Sequence, residues 1–380
     1  NPRGTQLIGL LDRLNTVAGA HRRFGVSATV PDVTLPTRAR LLRDPIVIEE
    51  IGGQPLEIIR HQWLGDESQG VASFLSLLRQ HECRKSIGFA RTRARVERLC
   101  QLLNTGFLRG NCLVHHGSTS SAIRKEAEAR LRKMQVGLVI ATTTLEVGID
   151  IGDVDTCILF DIPNSVSSLL QRAGRAGRRG GVRRVICVAG LYDRATDFGR
   201  LVGRLKTGQL GDRGDARPFL VGCLQQAASM VATAMGRHRI AVTQFLDQAY
   251  GLSVGASEAI VAGLVDAKII SERGNDLELL ERGHQLLERR TLHLTFASDS
   301  GIQVVDELSG RALGRVRIEG DDRIRLGGGG HRIVSMDQQR GCVITHPTDG
   351  GSASFARPAE SVFQEIARRW LPRVGREVQG

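Results

Sequence analysis

The chain has 380 residues, 41% of them hydrophobic, enough to bury two or three separate cores rather than one. No apolar run reaches the roughly 18 residues of a membrane span, and the opening Asn1-Pro2-Arg3-Gly4 carries no charged-then-apolar leader, so a cytoplasmic, multi-domain piece of a longer protein is expected. The formal net charge of +12 favours a polyanionic partner, yet only five of the 52 basic residues are lysine, an arginine bias that genome composition also produces, so charge alone leaves nucleic-acid binding open.

Taken from the N-terminus, Pro31–Gly65 is rich in Pro and Gly, with one extended segment at Pro45–Ile51, and reads as a connector ending near residue 65. Beyond it, Ser86–Ala90, Val136–Ala141, Thr156–Phe160 and Val185–Ala189 are short β-branched runs alternating with helical patterns, the rhythm of a parallel sheet with crossover helices. Between the first two runs, Ile123, Ala127, Leu131 and Met134 recur at helical spacing and predict a helix with one stripe on the sheet. Leu201–Asp215 shows no periodicity. Pro218–Met235, Val242–Ala249 and Ser257–Ala267 then read as helices, followed by a hairpin of Ile269–Ser271 and Leu277–Leu279. From about His293 short alternating pieces separated by Gly- or Asp-rich turns predict a small antiparallel β domain. Gly327–Gly330 has neither a following helix nor a Lys-Ser/Thr and reads as a hairpin turn, not a phosphate loop. The seven cysteines form no C-x-x-C pair, and several sit in strand-like runs, so buried reduced thiols are expected, with no metal site.

Two segments carry chemistry. Gln171-Arg172-Ala173-Gly174-Arg175-Ala176-Gly177-Arg178-Arg179-Gly180 sets arginines three apart, on one face if helical, and guanidinium forks are suited to the oxygens of a transferring phosphoryl group. Upstream, Ala141-Thr142-Thr143-Thr144-Leu145-Glu146-Val147-Gly148-Ile149-Asp150 stands where a strand ends and a helix should begin, a place where hydroxyls and amides hold phosphates. Together these resemble motifs V and VI of superfamily 2 helicases, and TTTLEVGIDIGDVD followed by LLQRAGRAGRRG is similar to the Lhr-like (large helicase-related) DNA helicases. Ser86–Arg93 resembles motif IV, His115-His116-Gly117-Ser118 the turn before the next helix, and Gly25–Thr29 motif III.

The resemblance implies an α/β RecA-like motor lobe, a parallel sheet with helices on both faces, followed by a winged helix and a small β-rich domain. Its boundaries place the tail of a first RecA-like lobe at 1–45, an interlobe connector at 46–65, the second lobe at 66–212, the winged helix at 213–292 and the β-rich domain at 293–380. It implies that Arg175 and Arg178 act as arginine fingers on ATP, with Gln171, Gly148 and Asp150 toward the nucleotide. Arg91, Thr92, His116, Gly117, Ser118, Thr142 and Thr143 would hold the phosphates of a single strand or duplex junction, most plainly DNA, while Ser27, Ala28 and Thr29 couple the lobes. None of the five lysines follows a glycine and no D-E-x-H or D-E-A-D box occurs, so ATP and Mg2+ would be held mainly by a preceding lobe. A non-catalytic nucleic-acid-binding scaffold derived from a motor lobe is the alternative, against which the arginine pair speaks; a P-loop kinase or transporter ATPase fails for want of the loop.

Overall fold

The apolar runs of the sequence become neighbours in one parallel sheet. The computed structural model describes residues 2–19, 21–25, 42, 55–63, 67–143, 153–177, 182–189, 195–207, 219–293, 301–318, 322–337, 340–355 and 361–377. Its largest sheet comprises Leu56–Gln62 (β1), Lys85–Phe89 (β2), Cys112–His115 (β3), Gly137–Ala141 (β4), Thr156–Leu159 (β5) and Arg183–Ala189 (β6), in the order β1-β6-β5-β2-β4-β3. All five pairings are parallel. Such a sheet needs cover on both faces, which explains why β3, β4 and β5 are buried along their whole length and read as continuous apolar runs. Helices Glu67–Gln80 (α2), Arg93–Leu103 (α3), Ser121–Lys133 (α4), Val166–Ala173 (α5) and Ala195–Lys206 (α6) supply the cover. Ile87, Leu131, Val139, Leu169 and Val185 fill the core on one face, and Phe74, Leu99, Ile140 and Phe160 that on the other.

The connector expected at 46–65 is corrected in part. Residues 56–62 form β1, paired with β6 along its full length, and Ile58 and Ile59 point into opposite cores. An edge strand is half-buried, so its mixed residues Leu56-Glu57-Ile58-Ile59-Arg60-His61-Gln62 look like a strand only beside their partner. Helix α6 likewise occupies part of the stretch read as aperiodic, its apolar side being Phe198, Leu201 and Val202.

A second core is helical. Leu220–Val231 (α7) is buried from Gly222 through Val231 and is surrounded by Arg239–Tyr250 (α8), Val254–Asp266 (α9) and the hairpin Ile270–Arg273 (β7) with Asp276–Leu279 (β8), followed by Glu281–Glu288 (α10). Two elements from outside the expected boundaries join it. Pro2–Ala18 (α1), placed by sequence in a first-lobe tail, packs on α7 and α8, with Tyr250 Oη donating to the Thr5 carbonyl at 3.0 Å. Val362–Glu377 (α11), placed in the β-rich domain, buries Phe363 and Ile366 against the same core. Neither attachment is visible locally, because the apolar stripes face residues far away along the chain.

The third unit is a five-stranded sheet of Ile302–Asp306 (β9), Ala312–Val316 (β10), Arg323–Leu326 (β11), Gly329–Asp337 (β12) and Cys342–Thr348 (β13), ordered β10-β9-β13-β12-β11. It is mixed, not purely antiparallel, because β13 returns to pair parallel with β9. The tight turn between β11 and β12 places Gly327 and Gly328 at φ +70° and +83°, which glycine adopts without steric cost. Among the described residues no helix is long and apolar enough to cross a membrane.

Candidate nucleic-acid interface

Parallel strands deliver their carboxyl ends to one edge, the usual position of ligand sites in open α/β sheets. Phe89 pairs with Ala141, which pairs with His115, so the residues following β2, β4 and β3 emerge side by side. Arg91 and Thr92, Thr142 and Thr143, and His116 through Ser118 are therefore brought to one edge. Thr92 caps α3, its hydroxyl accepting from Arg95 N at 3.2 Å. Arg91, Thr92 and Thr143 are exposed; Thr142 is buried, its amide directed to the His115 carbonyl at 3.3 Å.

The Arg91 loop is held by a residue that sequence reasoning missed. Asp161, just past β5, accepts the Arg91 amide at 2.7 Å through Oδ2 and faces Arg95 Nε at 3.3 Å through Oδ1. Asp161 carries no motif-like spacing to β2, and its role depends on β5 and β2 lying adjacent.

The turn after β3 differs from expectation. The His116 side chain is fully buried, its Nε2 3.0 Å from Glu97 Oε1 and its ring edge-on to Phe355 at 5.2 Å, so direct contact from that side chain to a nucleic acid is closed off. Ser118 is also buried and accepts from Arg93 Nη1 at 2.5 Å, while Gly117 is exposed. His115 touches Glu128 at 3.0 Å, but burial outweighs the carboxylate and lowers its pKa, leaving a neutral ring at pH 7. Beside this turn lies a cavity of about 320 Å3, lined by Gly117, Ser120, Ser121, Arg124, Gln303 and Arg315 among others.

The arginine motif also departs from its expected form. Helix α5 ends at Ala173 with Gly174 as C-cap, so Arg172 is helical while Arg175 lies on the following turn, its amide directed to the Arg172 carbonyl at 3.0 Å. The glycine spacing stops the helix: Gly177 takes φ +73° and its amide reaches back to Val154 O at 2.9 Å, tying the turn to the sheet. Arg172 is buried and stacks its guanidinium 5.3 Å over the Phe89 ring at the end of β2, a packing role that leaves Gln171 exposed and Arg175 half-exposed. Ser27, Ala28, Thr29, Gly148, Asp150 and Arg178 lie outside the described residues. Among the described residues no cluster of His, Cys, Asp and Glu is arranged to hold a metal.

Residues 69–180 match the helicase conserved C-terminal domain. The ATP-dependent helicase Lhr-Core protein 2 of Thermococcus barophilus is 34% identical over 199 residues, which cover 47% of this chain and 23% of that protein. The chain is thus similar to the C-terminal portion of the Lhr-like superfamily 2 helicases. It spans about a quarter of the length of that curated relative. Its fold is shared with two solved Lhr-like and related helicases: Lhr of Mycobacterium smegmatis bound to ssDNA and AMP-PNP (TM-score 0.63, 23% identity, 85% of this chain and 46% of that one) and the DUF1998 helicase MrfA bound to DNA and AMPPNP (TM-score 0.63, 18% identity, 93% and 51%). The helicase C-terminal match thus falls on the parallel-sheet lobe, which has the layered architecture expected of a RecA-like lobe.

Proposed function

We propose that this chain supplies the second motor lobe of an ATP-dependent helicase or translocase that tracks along nucleic acid, with DNA as the favoured strand. The observation that carries the reading is the in-register edge: Arg91, Thr92 and Thr143 stand exposed on neighbouring strand ends, while Arg175 stands on the glycine-stopped turn after α5. Threonine hydroxyls, backbone amides and a guanidinium in that order suit successive phosphates of a single strand. Arg175 and Arg178 would reach the γ-phosphate of ATP held across the cleft by a preceding lobe, which would also hold Mg2+, and stabilise the charge that develops there. Gln171, Gly148 and Asp150 would shape the nucleotide side, and Ser27, Ala28 and Thr29 would couple the lobes. In this reading His116 and Ser118 serve the strand indirectly, by shaping the turn that exposes Gly117.

The accessory units are read as a winged helix within 213–292, built of α8, α9 and the β7–β8 hairpin, and a β-rich domain that begins near 293 and ends before α11, which packs with the helical unit. T. barophilus Lhr-Core protein 2 is named an ATP-dependent helicase, and the M. smegmatis Lhr and MrfA structures contain DNA, which supports a nucleic-acid partner.

The arginines test it. In the full-length protein Arg175→Ala and Arg178→Ala should each cut DNA-stimulated ATP turnover by about 10³-fold while leaving strand affinity nearly unchanged. Arg178→Lys should also fail, because it keeps the charge and loses the planar fork. Parent-like turnover in any of the three variants would remove that arginine from the phosphate, and robust ATP hydrolysis by these 380 residues alone would refute the need for a preceding lobe.

A further inference from the structure

Glu97 lies on the buried stripe of α3 with Val96, Leu99, Cys100 and Leu103, and its side chain is 0% exposed. A carboxylate so placed is costly unless donors surround it. Its Oε1 accepts from His116 Nε2 at 3.0 Å and from the Gly327 amide at 2.7 Å; its Oε2 accepts from the Gly328 amide at 2.8 Å. The two amides belong to the β11–β12 turn, some 230 residues further along the chain and in a different sheet. That turn enters the motor lobe tip-first and without side chains. A Cβ on Gly327 would stand 3.3 Å from Ile123 Cδ1, and one on Gly328 would stand 3.5 Å from Cys100 Sγ.

A second strip of backbone reinforces the contact. Thr119 bridges Gly314, the Ser120 amide donates to Leu313 O at 2.8 Å, and the Arg315 amide donates to Ser118 O at 2.8 Å. Only glycine fits at 314, since a Cβ there would lie 2.0 Å from Ser118 O. Phe355 closes the third side against His116.

We propose that Glu97 is a positioning residue: its buried carboxylate latches the five-stranded sheet to the motor lobe through the Gly327–Gly328 turn and holds the His116–Ser118 turn at the strand-binding edge. The sheet and the second lobe then travel as one body when the cleft opens and closes. The strand-binding part of this inference rests on the helicase reading; the latch itself does not.

Glu97→Gln tests it in the 380-residue chain. The shape is kept, but one oxygen becomes an NH2 group that must face a donor, the Gly328 amide or its neighbours. Hydrogen exchange at the Gly327 and Gly328 amides should accelerate by about ten- to hundredfold, the range for a lost hydrogen bond to a charged group, with β12–β13 amides unchanged. Affinity for a fluorescent single-stranded oligonucleotide should fall by about tenfold on the same reasoning. If Glu97→Gln does not fold, Gly328→Ala carries the test from the other side: it strains a residue at φ +83° and leaves every motor-lobe side chain in place, and both effects should recur. General destabilisation would speed exchange throughout and would not single out two amides. Unchanged exchange at both glycines overturns the latch; faster exchange with parent affinity overturns the positioning role. Failure of the parent chain to bind the oligonucleotide would sink the helicase reading alone, with the exchange rates still deciding the latch.

Discussion

Asp161→Ala should loosen the edge of the motor lobe where Arg91 and Thr92 emerge. The Asp161 carboxylate is 13% exposed and its partner Arg95 29%, so water screens the pair only weakly. One charge-assisted bond at 2.7 Å, to the Arg91 amide, and one looser contact at 3.3 Å, to Arg95, are lost. A hydrogen bond to a charged group contributes about 1.5–3 kcal/mol, and the exposed Arg91 amide regains a water, so a loss of about 2 kcal/mol is expected. For a lobe of this size that lowers the melting temperature by about 4–8 °C. On the proposed reading of this loop as a strand contact, the same loss should weaken single-strand affinity by about ten- to thirtyfold. Asp161→Asn keeps an acceptor for the Arg91 amide but not the charge facing Arg95, and should fall between. Thermal unfolding by circular dichroism and fluorescence anisotropy with a labelled oligonucleotide measure the two effects. If Asp161→Ala melts and binds like the parent, the Arg91 loop is held by something other than Asp161.

Arg91→Ala should flatten the dependence of single-strand affinity on salt, reducing the log–log slope by about 1, without altering ATP affinity in the full-length protein; an unchanged slope would mean Arg91 touches no phosphate. All seven cysteines are buried, and burial pushes the Cys83 thiol up and that of Cys157 up to about 12, so these two stay protonated at pH 8. Because the thiolate is the reactive form, a thiol reagent at pH 8 should label the native chain slowly and all seven sites after denaturation; rapid native labelling would contradict the burial. Tyr250→Phe deletes the 3.0 Å bond to Thr5 O and should cost about 1 kcal/mol in urea unfolding of the helical unit. Gly9→Ala places a Cβ 2.2 Å from Tyr250 Oη and should cost about 1–3 kcal/mol, and adding Tyr250→Phe to it should recover part of that loss; strict additivity would show that the two never meet.

The central strands and the helices after residue 218 are legible in the sequence because buried parallel strands are apolar throughout, while the helices keep an apolar period of their own. The spacing of the motifs likewise placed Arg91, Thr92, Thr142 and Thr143 at strand ends, since a run of β-branched residues followed by a small polar one marks where a strand stops. What the arginine segment becomes was not legible: three-residue spacing suggested one helical face, but Gly174 and Gly177 end the helix and set Arg175 on a turn. Glu97 left a faint signal, a carboxylate on an otherwise apolar helix stripe. Nothing near it could name its partners, because a buried charge is satisfied by whatever donors the fold delivers, here two amides from a turn 230 residues away. The same holds for β1, α1 and α11, whose partners lie across the chain. Local sequence determines where strands and helices form and which residues end them, since backbone sterics and side-chain periodicity act over a few positions. Which edge is covered, which charge is neutralised and which domain moves with which depends on contacts between distant segments, and only the tertiary structure brings those together.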